Sequence, residues 1–458
     1  MFQKSAKQDL LHENIFKTLI LFAVPFMLSS VMQMLYNTVD TIVVGQFVGS
    51  AGISAVASGG NLVNLSITVC TGFSTAGQIL VAQFVGAGKR NEVKKAISTL
   101  AFLIGISAIA MGIIVIIFLK PLLNLMSTPA EAFQMAVDYM VICAGGMIFT
   151  AFYNMLSAVF RGMGDSRHPF IFIAIASVTN ILLDLLFTGL FKWGTAGCAW
   201  ATIIGQAVSV AISLVFLLRH KEEYCCDFKR GEFRIYPEAA AAEVQLGLPM
   251  MLCGSAVTIS VLFVNTFINK LGVIVSAAFG VGMRIYHIPN TIAMSISQAA
   301  AAMMGQNLGA GQYDRVKQVV RSSIVISSVI QVFFMVILLL FPRTAFGIFT
   351  NEEAVLDYAL RWFIAMAIGM PAMVTMGTFN SLIIAVGDTK ISMLIGIADA
   401  VVGRIASTLL LGVVLNLGAM GLFVGYSLGV YVSAIPGALY YFLVNWKERG
   451  LRISQGVN

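Results

Sequence analysis

QFVGAGKRNEVKKAI (83–97) and QNLGAGQYDRVKQVV (306–320) are two copies of one segment, and their spacing decides how the chain is organised. Gln83 falls 223 residues before Gln306, and Gly86 falls 223 before Gly309. GMGDSR (162–167) returns as AVGDTK (385–390) at the same spacing, Asp165 to Asp388. Pro25 in FAVP and Pro249 in LGLP are 224 apart, a match within one residue. Two independent segments at one offset imply duplication. The motifs themselves read as turn chemistry. Glycines in GAG permit unusual backbone angles, and Asp165 and Asp388 sit where a carboxylate can cap a helix N-terminus.

Working outward, the chain has 458 residues, 59% hydrophobic and only 11% charged. Soluble domains carry about 45–50% apolar and about 25% charged residues, and the mean hydropathy here is +0.90. Disorder, collagen, coiled coil and a disulfide-stapled secreted domain are excluded, which leaves an all-α polytopic membrane protein. The net charge of +7 is read as lysines and arginines that orient helices, with no nucleic acid as partner. Cys70, Cys143, Cys198 and Cys253 lie in apolar runs, Cys225 and Cys226 are adjacent, and no CxxC occurs, so free thiols are expected. The polar, mixed-charge start predicts no cleaved signal peptide.

Apolar runs predict twelve transmembrane helices near 15–44, 51–83, 92–119, 131–160, 168–190, 194–218, 241–268, 273–305, 315–341, 354–384, 390–413 and 418–444. Residues 1–218 form an N-terminal six-helix half, 219–243 a cytoplasmic linker and 244–458 a C-terminal six-helix half. Of the 28 basic residues, 21 fall on the side of the termini and the linker and five on the other; only Arg284 and Arg404 fall within helices. That asymmetry predicts cytoplasmic termini. An even number of helices per half makes the repeats parallel, an arrangement that encloses a central cavity and supports alternating access. The reading is a transporter.

Ionisable residues within spans are the sharpest signal in such a chain. Asp40, Asp184 and Asp399 lie well inside helices, whereas Asp138 and Asp357 read as interfacial. Tyr36 and Asn37 precede Asp40 by four and three residues, and Asn180 precedes Asp184 by four, so each set shares a helical face. Two carboxylates and an amide can cage a cation, with Na⁺ at Asp40, Asn180 and Asp184, or share a proton. The second half does not repeat them. No acid occurs between Glu243 and Asp314, and the residue 223 after Asp184 is Ser407. Asp399 reads as half of a neutralised structural pair. Arg404, five residues on, is a poor α-helical partner, so Arg284 is at least as good a candidate. Pro25 disrupts the hydrogen bond to residue 21 and gives the first helix a candidate hinge.

Pro25, YNTVDTIVVGQFVG, QFVGAGKRNEV and FRGMGDSRHP, with QNLGAGQYDRV and VGDTK, resemble the multidrug and toxic compound extrusion (MATE) family over nearly the whole chain. The resemblance implies a cation-coupled (H⁺ or Na⁺) antiporter, not an enzyme, exporting organic, cationic or amphipathic drugs across a bacterial plasma membrane. It implies no cofactor beyond the coupling ion, lipid as surroundings and function as a monomer. The pattern is similar to the DinF-type branch, which implies a cation site at Asp40, Asn154, Asn180, Asp184 and Thr202. It departs from the NorM-type pattern, because the seventh and tenth helices have no mid-membrane acid. The alternative of the same superfamily is a flippase for a lipid-linked precursor, whose cavity should be basic. Only Arg284 and Arg404 are intramembrane here, which favours the antiporter. No HExxH, GxSxG or P-loop motif appears.

Overall fold

The computed structural model describes residues 8–126, 128–350 and 352–449. The basic residues Lys4, Lys7 and Arg452 of the charge count lie outside them, as does part of the start read for a signal peptide. The twelve helices are α1 (Ile15–Phe47), α2 (Ser50–Gly86), α3 (Arg90–Leu125), α4 (Ala130–Gly162), α5 (Arg167–Leu190) and α6 (Gly194–Arg219), then α7 (Pro237–Asn269), α8 (Val273–Gly309), α9 (Tyr313–Leu340), α10 (Glu353–Val386), α11 (Thr389–Val414) and α12 (Gly418–Leu443). A short helix, Pro342–Gly347, lies between α9 and α10. There is no strand among the described residues.

Eleven of these helices are long and apolar enough to cross a membrane. The twelfth, α8, is as long as α2, its counterpart in the repeat, and carries Arg284 and His287. The outer faces are apolar, as lipid requires. On α3, Ile106, Ile109, Ile113 and Ile117 form an exposed stripe at helical spacing, and Val325, Val329, Val332 and Val336 do the same on α9. This is the all-α polytopic membrane fold.

The chain divides into two compact units, one built from Val24–Met251 and the other from Leu10–Ala23 with Leu252 onward. The division falls inside α1, next to Pro25, and inside α7. In the first unit α2 packs on α4, α4 also on α3 and α6, and α5 on α6. The second unit repeats the scheme, with α10 against α8 and α12 and α9 beside α8. The turns repeat too. Gly88 and Gly311 of the two GAG motifs, and Gly164 and Gly387 before the two aspartates, all have positive φ, which suits residues without a Cβ. Asp165 caps α5 by accepting from the backbone N–H groups of Arg167 (3.0 Å) and His168 (3.2 Å). Asp388 makes no such cap; its carboxylate accepts from Tyr440 and Arg449.

The segment after α6 is folded onto the first unit. Asp227 bridges Arg90 (2.8 Å) and Lys94 (2.9 Å), the Tyr224 hydroxyl donates to Asp165 (2.6 Å), and Thr99 accepts from the Tyr236 N–H. Arg90 and Lys94 hold the Asp227 carboxyl well below the usual carboxylate range. Cys70, Cys143, Cys198 and Cys253 are free thiols; Cys226 is buried and Cys225 half-buried.

Candidate functional site

α1, α5 and α6 bring the two first-unit acids together. Asp40 and Asp184 are 5% and 0% exposed, and one carboxylate oxygen of each lies within 4.8 Å of the other and of the Cys198 thiol. Thr202, one turn beyond Cys198 on α6, donates to the Cys198 carbonyl (3.0 Å) and points its hydroxyl at Asp40 (3.5 Å). Asn180 is buried one turn before Asp184 on α5. The close approach of α5 and α6 depends on Gly205, where a Cβ would lie 3.0 Å from the Ala176 carbonyl oxygen and 3.2 Å from the Asn180 Cβ.

This cluster is short of partners. Asp40 Oδ1, both oxygens of Asp184 and both polar atoms of Asn180 are buried without a hydrogen bond to any described residue. Buried polar atoms are normally satisfied, and leaving them bare costs about 1–3 kcal/mol each. Carboxylates in that state are a receptor for protons or for a cation.

A cavity of about 500 Å³ opens beside the cluster within the first unit. Asp40, Tyr36 and Asn37 line it from α1, Asn154 from α4, and Thr202 and Gln206 from α6. Among the described residues Asp40 is the one charged side chain in the lining, which is otherwise amide, hydroxyl, aromatic and aliphatic, with the sulfurs of Cys143 and Met147. Asp184 and Asn180 lie behind Asp40 and do not line it. Thus Asp40, Asn180, Asp184 and Thr202 converge, while Asn154, Tyr36 and Asn37 face the cavity. Pro25 stands apart, buried in α1, and its carbonyl accepts from the Ser29 hydroxyl (2.8 Å).

Residue types hid the remaining members. Cys198 falls four residues before Thr202, a spacing that was legible, but a lone cysteine in an apolar run reads as core. Tyr139, Cys143, Tyr153 and Gln206 also face the cavity and carried no charge to mark them. Glu243, placed at the end of the linker by its sequence, is instead fully buried in α7 with neither oxygen partnered.

Two expectations for the second unit are corrected. Asp399 pairs with Arg404, Nε to Oδ2 3.0 Å, while Arg284 is exposed. The reason is that Asp399–Ala406 is π-helical. Five residues are roughly 140° apart on an α-helix, but a turn closed by i→i+5 bonds returns them toward one face. The counterpart of Asp184 is Thr408, not Ser407. Gly197 packs on Phe187 as Gly421 packs on Leu411, each pair 224 residues apart.

The sequence model described as MatE matches residues 25–186 and 249–410, two segments displaced by that same 224. The probable multidrug resistance protein YpnP of Bacillus subtilis (strain 168) is 26% identical over 443 residues, covering 97% of this chain and 98% of the relative. The probable multidrug resistance protein YoeA of the same organism is 28% identical over 353 residues, 76% of each chain. A solved MOP superfamily transporter from Pyrococcus furiosus superposes with a TM-score of 0.89 at 20% identity, over 99% of both chains.

Proposed function

The chain belongs to the MatE family of membrane transporters, and from that premise we propose that it is a cation-coupled antiporter of the DinF-type branch, exporting organic cationic or amphipathic drugs by alternating access. The relatives named as multidrug resistance proteins support the substrate class. One observation carries the coupling: two buried carboxylates, Asp40 and Asp184, meet with bare oxygens beside a cavity whose single charge is Asp40.

Electrostatics supply the mechanism. Two like charges this close in a low-dielectric interior are stable only when a proton is shared or a cation sits between them. Ion binding at Asp184 and Asp40 removes the negative charge that a cationic drug in the cavity would use. Ion and drug then exclude one another at Asp40, which is the requirement for antiport. Asn180 and Thr202 supply the amide and hydroxyl that hold the bound form, Asn154, Tyr36 and Asn37 shape the drug side, and Pro25 lets α1 bend as the occupant changes. For Na⁺ the oxygen donors are Asp40, Asn180, Asp184 and Thr202. The Cys198 thiol within the cluster is a poor Na⁺ ligand and favours the proton.

The protein works as a monomer in the bacterial inner membrane with both termini cytoplasmic, and lipid covers its exposed apolar faces. A lining without basic side chains gives a pyrophosphate-linked lipid nothing to bind, so the flippase reading is the weaker one. The deciding experiment is export of a fluorescent organic cation in inside-out vesicles, energised separately by a pH gradient and a Na⁺ gradient. Drug accumulation under either gradient supports the proposal. Accumulation under neither, with the protein inserted and folded, overturns it.

A further inference from the structure

In the second unit Arg404, which the 224-residue repeat places at the register of Asn180, forms a closed ion pair with Asp399. The register comes from the glycine contacts. A Cβ on Gly403 would lie 2.6 Å from the Gly429 carbonyl oxygen, and one on Gly429 would lie 3.1 Å from the Arg404 nitrogen. A Cβ on Gly197 would lie 3.0 Å from the Phe187 carbonyl carbon and one on Gly421 2.7 Å from that of Leu411, both pairs 224 residues apart. At this spacing of 224, Arg404 stands for Asn180, Tyr426 for Thr202 and Thr408 for Asp184.

The spacing is 223 at Asp165 and Asp388 and 224 at Phe187 and Leu411, so α11 contains one residue more than α5 between these points. An inserted residue in a helix is absorbed as a π-turn, and Asp399–Ala406 is π-helical where the matching stretch of α5 is α-helical. The insertion turns Asp399 and Arg404 onto one face. Arg404 then donates to Asp399 (3.0 Å) and to the Tyr426 hydroxyl (2.8 Å), with its guanidinium over the Tyr426 ring at 5.3 Å. Besides Arg404 and Tyr426, the titratable groups facing Asp399 are Cys253 from α7 and, through the same cluster, Tyr286 from α8.

We infer that Arg404 is a covalently tethered cation, doing for Asp399 in the second unit what the mobile coupling ion does for Asp40 and Asp184 in the first. This rests on the reading of Asp40 and Asp184 as the coupling site. Its consequence is stoichiometric. The second unit binds no coupling ion because its own guanidinium already neutralises Asp399. Removing that guanidinium creates a second ion site, since Asp399 is left buried without a counter-charge and its Oδ1 already lacks a protein partner.

The test compares wild type, Arg404→Asn and Asp399→Asn/Arg404→Asn in weakly buffered detergent solution, counting protons taken up after a drop in pH. Arg404→Asn should take up about one proton more per molecule than the other two. Equal uptake in all three overturns the inference. A second measurement needs only wild type: a carbodiimide, which reacts with protonated carboxyls in apolar surroundings, should leave Asp399 unmodified while modifying Asp40 or Asp184. Modification of Asp399 in wild type overturns the inference even where Arg404→Asn does not fold. The coupling reading fails separately, if Asp40→Asn and Asp184→Asn leave proton uptake and drug export unchanged.

Discussion

The two units share helix order, turn glycines and close helix contacts, yet they treat buried charge in opposite ways. In the first, Asp40 and Asp184 face one another without a counter-ion from the protein. In the second, Asp399 is answered by Arg404 and Tyr426. A buried charge left bare is an expense that packing alone does not require, whereas a paired one can be purely structural. The contrast teaches that duplication supplied two scaffolds whose buried acids are treated differently, bare in the first unit and paired in the second.

Exchanging the side chains breaks this comparison most severely in the first unit. Asp184→Asn is expected to reduce gradient-driven drug accumulation to the level of vesicles without the protein, while Thr408→Ala, its counterpart, leaves accumulation near wild type. Equal losses at the two positions would place both in packing. Next in size is the ion pair. Arg404→Met leaves Asp399 alone in the membrane and should cost about 3–5 kcal/mol, read as a lowered thermal midpoint in detergent, whereas Asp399→Asn/Arg404→Gln costs less. A single variant as stable as wild type would mean that the pair neutralises nothing.

A smaller effect concerns α1, whose course changes unit next to Pro25. A spin-label distance from the outer end of α1 to that of α5 should shift between acidic and alkaline pH, stay fixed in Asp40→Asn and shift less in Pro25→Ala. A distance independent of pH in transporting protein would leave Pro25 as a static kink. The smallest effect is at the docked segment after α6. The Asp227 carboxyl is depressed by Arg90 and Lys94, so its contribution is complete above about pH 4, the unfolded value, and fades only as pH falls toward the folded one. Because the pair is partly exposed, Asp227→Asn at neutral pH should raise maleimide labelling of Cys225 by about threefold at most. No change would show that Thr99 and Asp165 hold the segment without it.

The fold was legible in the sequence because lipid imposes a long apolar run on every span and the repeat marked the halves. Asp40 and Asp184 were legible because a carboxylate in such a run is conspicuous. Cys198 and Tyr139 were not, since buried thiols and rings are ordinary core. The choice between Arg404 and Arg284 as partner of Asp399 stays open in the sequence because α-helical geometry sets residues five apart on different faces, and the π-turn that rejoins them is not visible there. The clue was present in the drift of the repeat spacing between 223 and 224, but an inserted residue leaves no mark of its own in an apolar helix.

The central claim is that ion coupling belongs to the first unit alone. It is tested most directly by measuring protons released when a cationic drug binds, in wild type, Asp40→Asn, Asp184→Asn and Asp399→Asn/Arg404→Gln. The account expects release in wild type and in the Asp399→Asn/Arg404→Gln protein, and none in either first-unit variant. Release that survives in Asp40→Asn and Asp184→Asn but disappears when the second-unit pair is neutralised would contradict it.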